Sequence, residues 1–167
     1  MLFDARAHQA NQTRRFNQAL HEARPADMGA SGVPLGEGDP LGRIEIGRIG
    51  LSAMIEEGID EETLRHAVGH IPGTPLAGQR GNVAFAGHRD TFFRGLRNIR
   101  RDDEITLTTL GGIYRYRVDS VKVVEPEETE VLNSGDDNVL TLVTCYPFSY
   151  AGPAPQRFIV RARQVLR

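Results

Sequence analysis

Seven of the twelve residues from Gly29 to Pro40 are Gly, Pro or Ser, and this run limits what the chain can fold into. At that density they sustain neither a helix nor a central strand, so the segment reads as a linker. It separates residues 1–28 from residues 41–167. The 127 residues after it suffice for one hydrophobic core and are too few for two ordinary ones. Residues 1–28 are rich in helix formers, with only Phe16 and Leu20 spaced for an apolar face, and predict a solvated helical arm.

Within residues 41–167 the apolar pattern is that of short strands. Ile44 and Ile46 alternate with Arg43 and Glu45. Asn82–Ala86 is a short apolar run that stops at Gly87. Ile105–Thr108 and Tyr114–Val118 flank Gly111-Gly112, a dipeptide that permits the positive φ angles of a tight hairpin. Apolar parity then switches, from Tyr114, Tyr116 and Val118 to Val121 and Val123, which predicts a bulge or barrel corner. Val139–Thr144 and Phe158–Val165 complete the strands. Helix is confined to about two turns at Glu61–Ala67, capped by Asp60 and stopped by Gly69, and to a turn within Phe92–Ile99. Gly73, Pro75, Gly78 and Gly81 mark a long loop between. Many short strands with frequent turn signals predict an all-β domain, closed or nearly so.

Charge and composition exclude several classes of function. A net charge of −2 argues against a nucleic-acid binder, which needs a basic excess. No apolar run approaches the roughly 18 residues that span a bilayer, mean hydropathy is −0.35, and no apolar stretch follows Met1 as in a signal peptide. A single cysteine rules out an internal disulfide and a Cys-rich metal centre.

That cysteine, Cys145, lies where the strand Val139–Thr144 runs into Tyr146-Pro147. Proline cannot continue a central ladder, so the strand ends there and Cys145 faces a loop or cleft. It is either an inert thiol closing the barrel or a nucleophile. His88 has a matching setting, just past the strand Asn82–Ala86 and beside Gly87. Of the other histidines, His8 and His21 fall on the arm, His66 late in the short helix and His70 in the Gly/Pro loop, which leaves His88 as the partner for Cys145. Asp90 either orients the His88 ring or is a loop carboxylate. Arg157 begins the last strand, and pairing across the intervening loop would bring it beside Cys145. Its five donors and permanent charge suit a thiolate or a developing oxyanion; otherwise it is a rim arginine, as Arg161 and Arg163 read.

Taken together, Gly87-His88 after an apolar strand, Thr141-Leu142-Val143-Thr144-Cys145, and an arginine opening the final strand resemble the sortases. Gly42–Ile46 and Gly73-Thr74-Pro75-Leu76 extend the likeness over residues 41–167, and Thr144-Cys145-Tyr146-Pro147-Phe148 is most similar to class D. The resemblance implies an eight-stranded β-barrel and a bacterial cysteine transpeptidase, a thiol-protease-like enzyme. Cys145 would be the nucleophile, His88 the acid/base and Arg157 the transition-state donor, with Thr144, Tyr146 and Asp90 as substrate-binding neighbours. It implies partners as well: surface proteins with a C-terminal Leu-Pro-x-Thr-Gly sorting signal, and an amine acceptor on a cell-wall peptide or a pilin lysine. No cofactor is required, although Glu125, Glu127, Glu128 and Glu130 form an acidic loop of the kind that holds Ca²⁺ in some sortases.

The family also implies an N-terminal membrane anchor and work at the extracytoplasmic face of the membrane. Residues 1–28 would then be a juxtamembrane spacer whose anchor is missing. Papain-like proteases place cysteine before histidine, and L,D-transpeptidases place glycine directly before the cysteine; neither pattern is present. The alternative from another class is a non-enzymatic β-barrel interaction domain with an inert buried cysteine.

Overall fold

In each long strand the apolar residues of one parity point the same way. Ile44 and Ile46, Ile105 and Leu107, Tyr116 and Val118, Leu140 and Leu142, and Phe158, Val160 and Ala162 are all buried in one core. Each large apolar side chain so buried contributes about 1.5–3 kcal/mol. In the computed structural model, which describes residues 7–11, 14, 18, 36–149 and 152–165, these strands close into a barrel. The strands are β1 (Pro40–Ile46), β2 (Leu51–Glu57), β3 (Val68–His70), β4 (Gly81–Ala86), β5 (Glu104–Thr109), β6 (Gly112–Val124), β7 (Asn138–Tyr146) and β8 (Gln156–Gln164). Their order around the barrel is β1-β2-β3-β4-β7-β8-β6-β5, closed by β5 on β1. The eight-stranded barrel implied by the resemblance is therefore present.

The parity switch in β6 coincides with a register shift between Val118 and Ser120 against β8. The β5–β6 hairpin turns at Leu110-Gly111, and Gly112 carries a φ of 140°. Two strands escape the apolar pattern. In β2 nearly every residue is buried, Glu56 and Glu57 included, so no alternation shows. β3 has three residues, too few to carry a period.

Several local expectations need correction. The helix α1 (Glu61–His66) starts as read, with Asp60 Oδ1 accepting from the Thr63 amide at 3.0 Å. It ends at Ala67, which is already extended, and Gly69 lies in β3. Glycine is required there because a Cβ would sit 2.1 Å from the Gly58 carbonyl oxygen. His70 is not in a loop; it ends β3 and is buried.

The linker also ends sooner than its composition suggests. Gly38 donates to the Glu57 carbonyl and Glu57 to the Asp39 carbonyl, each at 2.8 Å, so residues 38–40 already belong to the barrel; residues 29–35 lie outside the described residues. Where described, at 7–11, 14 and 18, the arm is helical. It is not wholly solvated. Gln9 donates to the His66 carbonyl at 2.5 Å and accepts from the Met54 amide at 2.7 Å, and the His8 ring stacks on His66 at 4.8 Å. Along β2, β3 reaches only Ile55–Glu57, so the edge of β2 opposite β1 is unpaired at Met54, and the Met54 N–H takes the Gln9 side chain.

Candidate active site

β4 and β7 run parallel in constant register, Ala84 beside Thr141, Phe85 beside Leu142 and Ala86 beside Val143. Two further bonds carry that register past the strand end. The Gly87 amide donates to the Val143 carbonyl at 3.2 Å, and Thr144 Oγ1 donates to the Gly87 carbonyl at 2.7 Å. Two residues beyond Ala86, His88 therefore comes alongside Cys145. On the other flank β7 and β8 are antiparallel, and Cys145 is the direct partner of Arg157. Three neighbouring strand ends thus present His88, Cys145 and Arg157 in a row.

Alternation places Cys145 on the outer face. Leu140, Leu142 and Thr144 point into the barrel, so Val139, Thr141, Val143 and Cys145 point out. Cys145 is half-buried rather than enclosed by core side chains. His88 is exposed, and no hydrogen bond ties its ring to another described residue. Gly87 beneath it packs on the fully buried Phe93, where a Cβ would approach the ring to 2.7 Å, so the backbone leading to His88 is fixed. Arg157 is half-buried and anchored through Nη1, which donates to the Ala154 carbonyl at 3.2 Å and the Gln156 carbonyl at 2.9 Å. Among the described residues, nothing accepts from Nε or Nη2.

The same outer face continues away from Cys145 into a groove of about 520 Å³, with Thr141, Ile159 and Arg161 among its floor residues and Val131 and Asn133 on its roof. Thr141 lies four residues before Cys145, about 13 Å at the rise of a strand. The roof is the β6–β7 loop, and a buried amide holds it. Asn82 Nδ2 donates to the Val131 carbonyl at 2.8 Å, while Asn82 Oδ1 accepts from Thr141 Oγ1 at 2.6 Å. Sequence reading passed over Asn82; the available signal was a lone amide heading an otherwise apolar strand. It also passed over Arg89, whose only signal was adjacency to His88. Arg89 donates to the Pro147 carbonyl at 3.0 Å and the Gly152 carbonyl at 2.8 Å.

The three expected substrate neighbours divide differently. Thr144 is buried and its hydroxyl is engaged by Gly87, so it joins two strand ends and does not face the groove. Tyr146 points inward with Thr144 and stacks on Phe158, with ring centroids 6.0 Å apart, which places it in the aromatic cluster closing the barrel end. Asp90 is exposed in the turn after His88 and is not bonded to the His88 ring. His70 offers no free ring nitrogen: Nδ1 pairs with Glu57 at 2.5 Å and Nε2 meets the Pro75 carbonyl at 2.9 Å. Glu125, Glu127, Glu128 and Glu130 are exposed on the β6–β7 loop. Among the described residues no group of three or more His, Cys, Asp or Glu side chains is arranged to hold a metal ion. Nor is any described helix long and apolar enough to cross a membrane.

A family model, the Sortase domain, matches residues 44–165. Sortase D of Bacillus subtilis (strain 168) is 33% identical over 129 residues, covering 77% of this chain and 65% of that protein. A solved Clostridium perfringens Sortase D5 transpeptidase superposes with a TM-score of 0.85 at 28% identity, covering 95% of this chain and 99% of that one. Sortase C1 of GBS Pilus Island 1, at 23% identity and a TM-score of 0.82 over 95% of this chain and 93% of that one, is alike in fold. The chain spans less than two thirds of the length of the curated relatives it matches.

Proposed function

The chain belongs to the sortase family, with its likeness to class D, and on that premise we propose that it is a cysteine transpeptidase acting on Leu-Pro-x-Thr-Gly-type sorting signals. The observation that carries this reading is the row at three strand ends, with Cys145 paired to Arg157 on one side and His88, two residues past the β4–β7 ladder, on the other.

The chemistry follows from the residue types. The Cys145 thiolate attacks the carbonyl carbon of the Thr–Gly amide. Negative charge collects on the carbonyl oxygen, where the free donors of Arg157 stabilise it. His88, as imidazolium, gives its proton to the leaving amine as the C–N bond breaks, and the acyl group remains on sulfur as a thioester. An incoming primary amine then attacks the thioester, His88 takes the amine proton, and the thiolate departs. Every proton is handled by His88, so the cycle needs neither metal nor organic cofactor.

The groove beside Thr141 suits the acyl part of an extended peptide, because it lies on the Cys145 face within about four residues' reach. A surface protein with a C-terminal sorting signal is the substrate class, and a cell-wall peptide or pilin lysine the acceptor class. That chemistry belongs at the extracytoplasmic face of a bacterial membrane, with residues 1–28 as the spacer. The half-exposed thiol speaks against a purely structural barrel.

Mass spectrometry of the protein with a Leu-Pro-x-Thr-Gly peptide library tests the reading. A covalent adduct of acyl mass on the wild type, absent from Cys145→Ala, is expected. An adduct of equal yield on Cys145→Ala, or none on the wild type with any peptide, would overturn it.

A further inference from the structure

Arg89 stands at the junction of two parts of the site. The backbone leading to it is rigid: Gly87 rests on Phe93, and the His88 carbonyl accepts from the Phe93 amide at 3.1 Å. From this base the half-buried Arg89 side chain crosses to the β7–β8 loop and donates from Nη1 to Pro147 and from Nη2 to Gly152. Pro147 is two residues after Cys145, and Gly152 is five before Arg157. The described residues of the loop, 147–149 and 152–155, lie outside the ladder, so their carbonyls need donors from elsewhere. A planar guanidinium supplies two in one fixed geometry, which a lysine does not. Arg157 holds the end of the same loop at Ala154 and the start of β8 at Gln156.

We infer that Arg89 is a positioning residue that sets the β7–β8 loop against the His88 turn and so shapes the side of the site where the amine is exchanged. The inference rests on the proposed transpeptidase reading. The acyl part is retained on Cys145 and suits the roofed groove, on the Thr141 side. The leaving amine must depart, and the new amine arrive, where His88 can reach them, and His88 lies next to the loop that Arg89 holds. Loosening the loop leaves thiol and groove in place but lets the acceptor side open to water. The thioester is then lost to hydrolysis more often before an amine captures it.

The test uses the full chain as wild type, Arg89→Ala and Arg89→Lys, with one sorting peptide and a primary amine such as triglycine. Three quantities are read: the rate of acyl-adduct formation, the ratio of ligated to hydrolysed product, and hydrogen exchange across residues 147–155. Arg89→Ala should acylate within about threefold of wild type yet shift the product ratio toward hydrolysis by about tenfold, the scale of losing hydrogen bonds from a charged donor. Exchange in the loop should rise, and Arg89→Lys should fall between. An unchanged product ratio, or acylation and ligation reduced by the same factor, overturns the inference. Failure of the wild type to form any acyl adduct overturns the functional reading itself. Raised loop exchange in Arg89→Ala would even then support the positioning contact, and unchanged exchange would overturn it.

Discussion

Thr144 Oγ1 donates to the Gly87 carbonyl at 2.7 Å, a buried side-chain bond that, with the Gly87 amide on the Val143 carbonyl, joins the strand ends that carry Cys145 and His88. Its neighbours in sequence are the proposed nucleophile on one strand and the proposed acid/base on the other. Thr144→Val keeps the shape and removes the donor, leaving a carbonyl unsatisfied at a cost of about 1–3 kcal/mol. Urea denaturation should show that loss. Turnover should fall more than the thiol's alkylation rate, since the nucleophile persists while its spacing from His88 relaxes. Equal losses in both would assign Thr144 to stability alone.

The two strand-end histidines separate by their partners. His70 is buried, with both ring nitrogens engaged and Glu57 beside it. His70→Ala leaves the Glu57 carboxyl buried without its hydrogen-bond partner, a loss of about 1–3 kcal/mol. It should lower the melting temperature sharply, while folded protein retains an alkylatable Cys145. His88 is exposed and bonded to no described side chain, so His88→Ala should melt like wild type and form almost no product. Reversed behaviour of the two variants would refute the choice of His88.

Arg157 tests geometry against charge. Nη1 is tied to two loop carbonyls, which aims the remaining donors as a rigid unit. Lysine retains the charge without the fork. Arg157→Lys should therefore lose about as much kcat/KM as Arg157→Ala, on the order of 10²–10³, as for removal of an oxyanion donor. A lysine variant within a few-fold of wild type would mean that charge alone suffices.

Asn82 links the groove floor to its roof through Thr141 and Val131. Asn82→Leu should release the roof and raise the peptide KM about tenfold, the equivalent of one or two lost hydrogen bonds, with a smaller change in kcat. Steady-state kinetics on one sorting peptide reads the split. A change confined to kcat would place Asn82 outside peptide binding.

Acid stability should be governed in part by Asp103. Hydrogen bonding from Arg48, at 2.6 Å from Nε and 2.7 Å from Nη2, holds the Asp103 carboxyl below the usual carboxylate range, with help from the Arg100 amide and against the opposing effect of burial. A lowered folded value means that the folded state favours the ionised form. The resulting stabilisation is complete above the unfolded value, about 4, and disappears as pH falls through the lower folded value. Urea midpoints should drop between pH 5 and pH 2, and more steeply for wild type than for Asp103→Asn. Parallel curves would exclude the contribution.

The strands β1, β4, β5, β6, β7 and β8 were legible because period-two alternation, short apolar runs and Gly or Pro punctuation are written within a few residues. So was the end of β7, because Pro147 cannot extend a ladder, and so was the pairing of Cys145 with Arg157, because a single loop joins their strands. β2 escaped because burial on both faces erases alternation, and β3 because three residues hold no period. His70 was misplaced for the same reason. The roles of Asn82 and Arg89 were invisible in the chain itself. Their bonding partners lie 49 or more positions away and are neighbours only through the β4–β7 register. What a few adjacent residues can specify, the sequence alone determined: strands, turns and the residue types fit for thiol chemistry. Which distant carbonyl a buried donor meets was decided by closure of the barrel, because only the assembled register brings the two together in a place that excludes water.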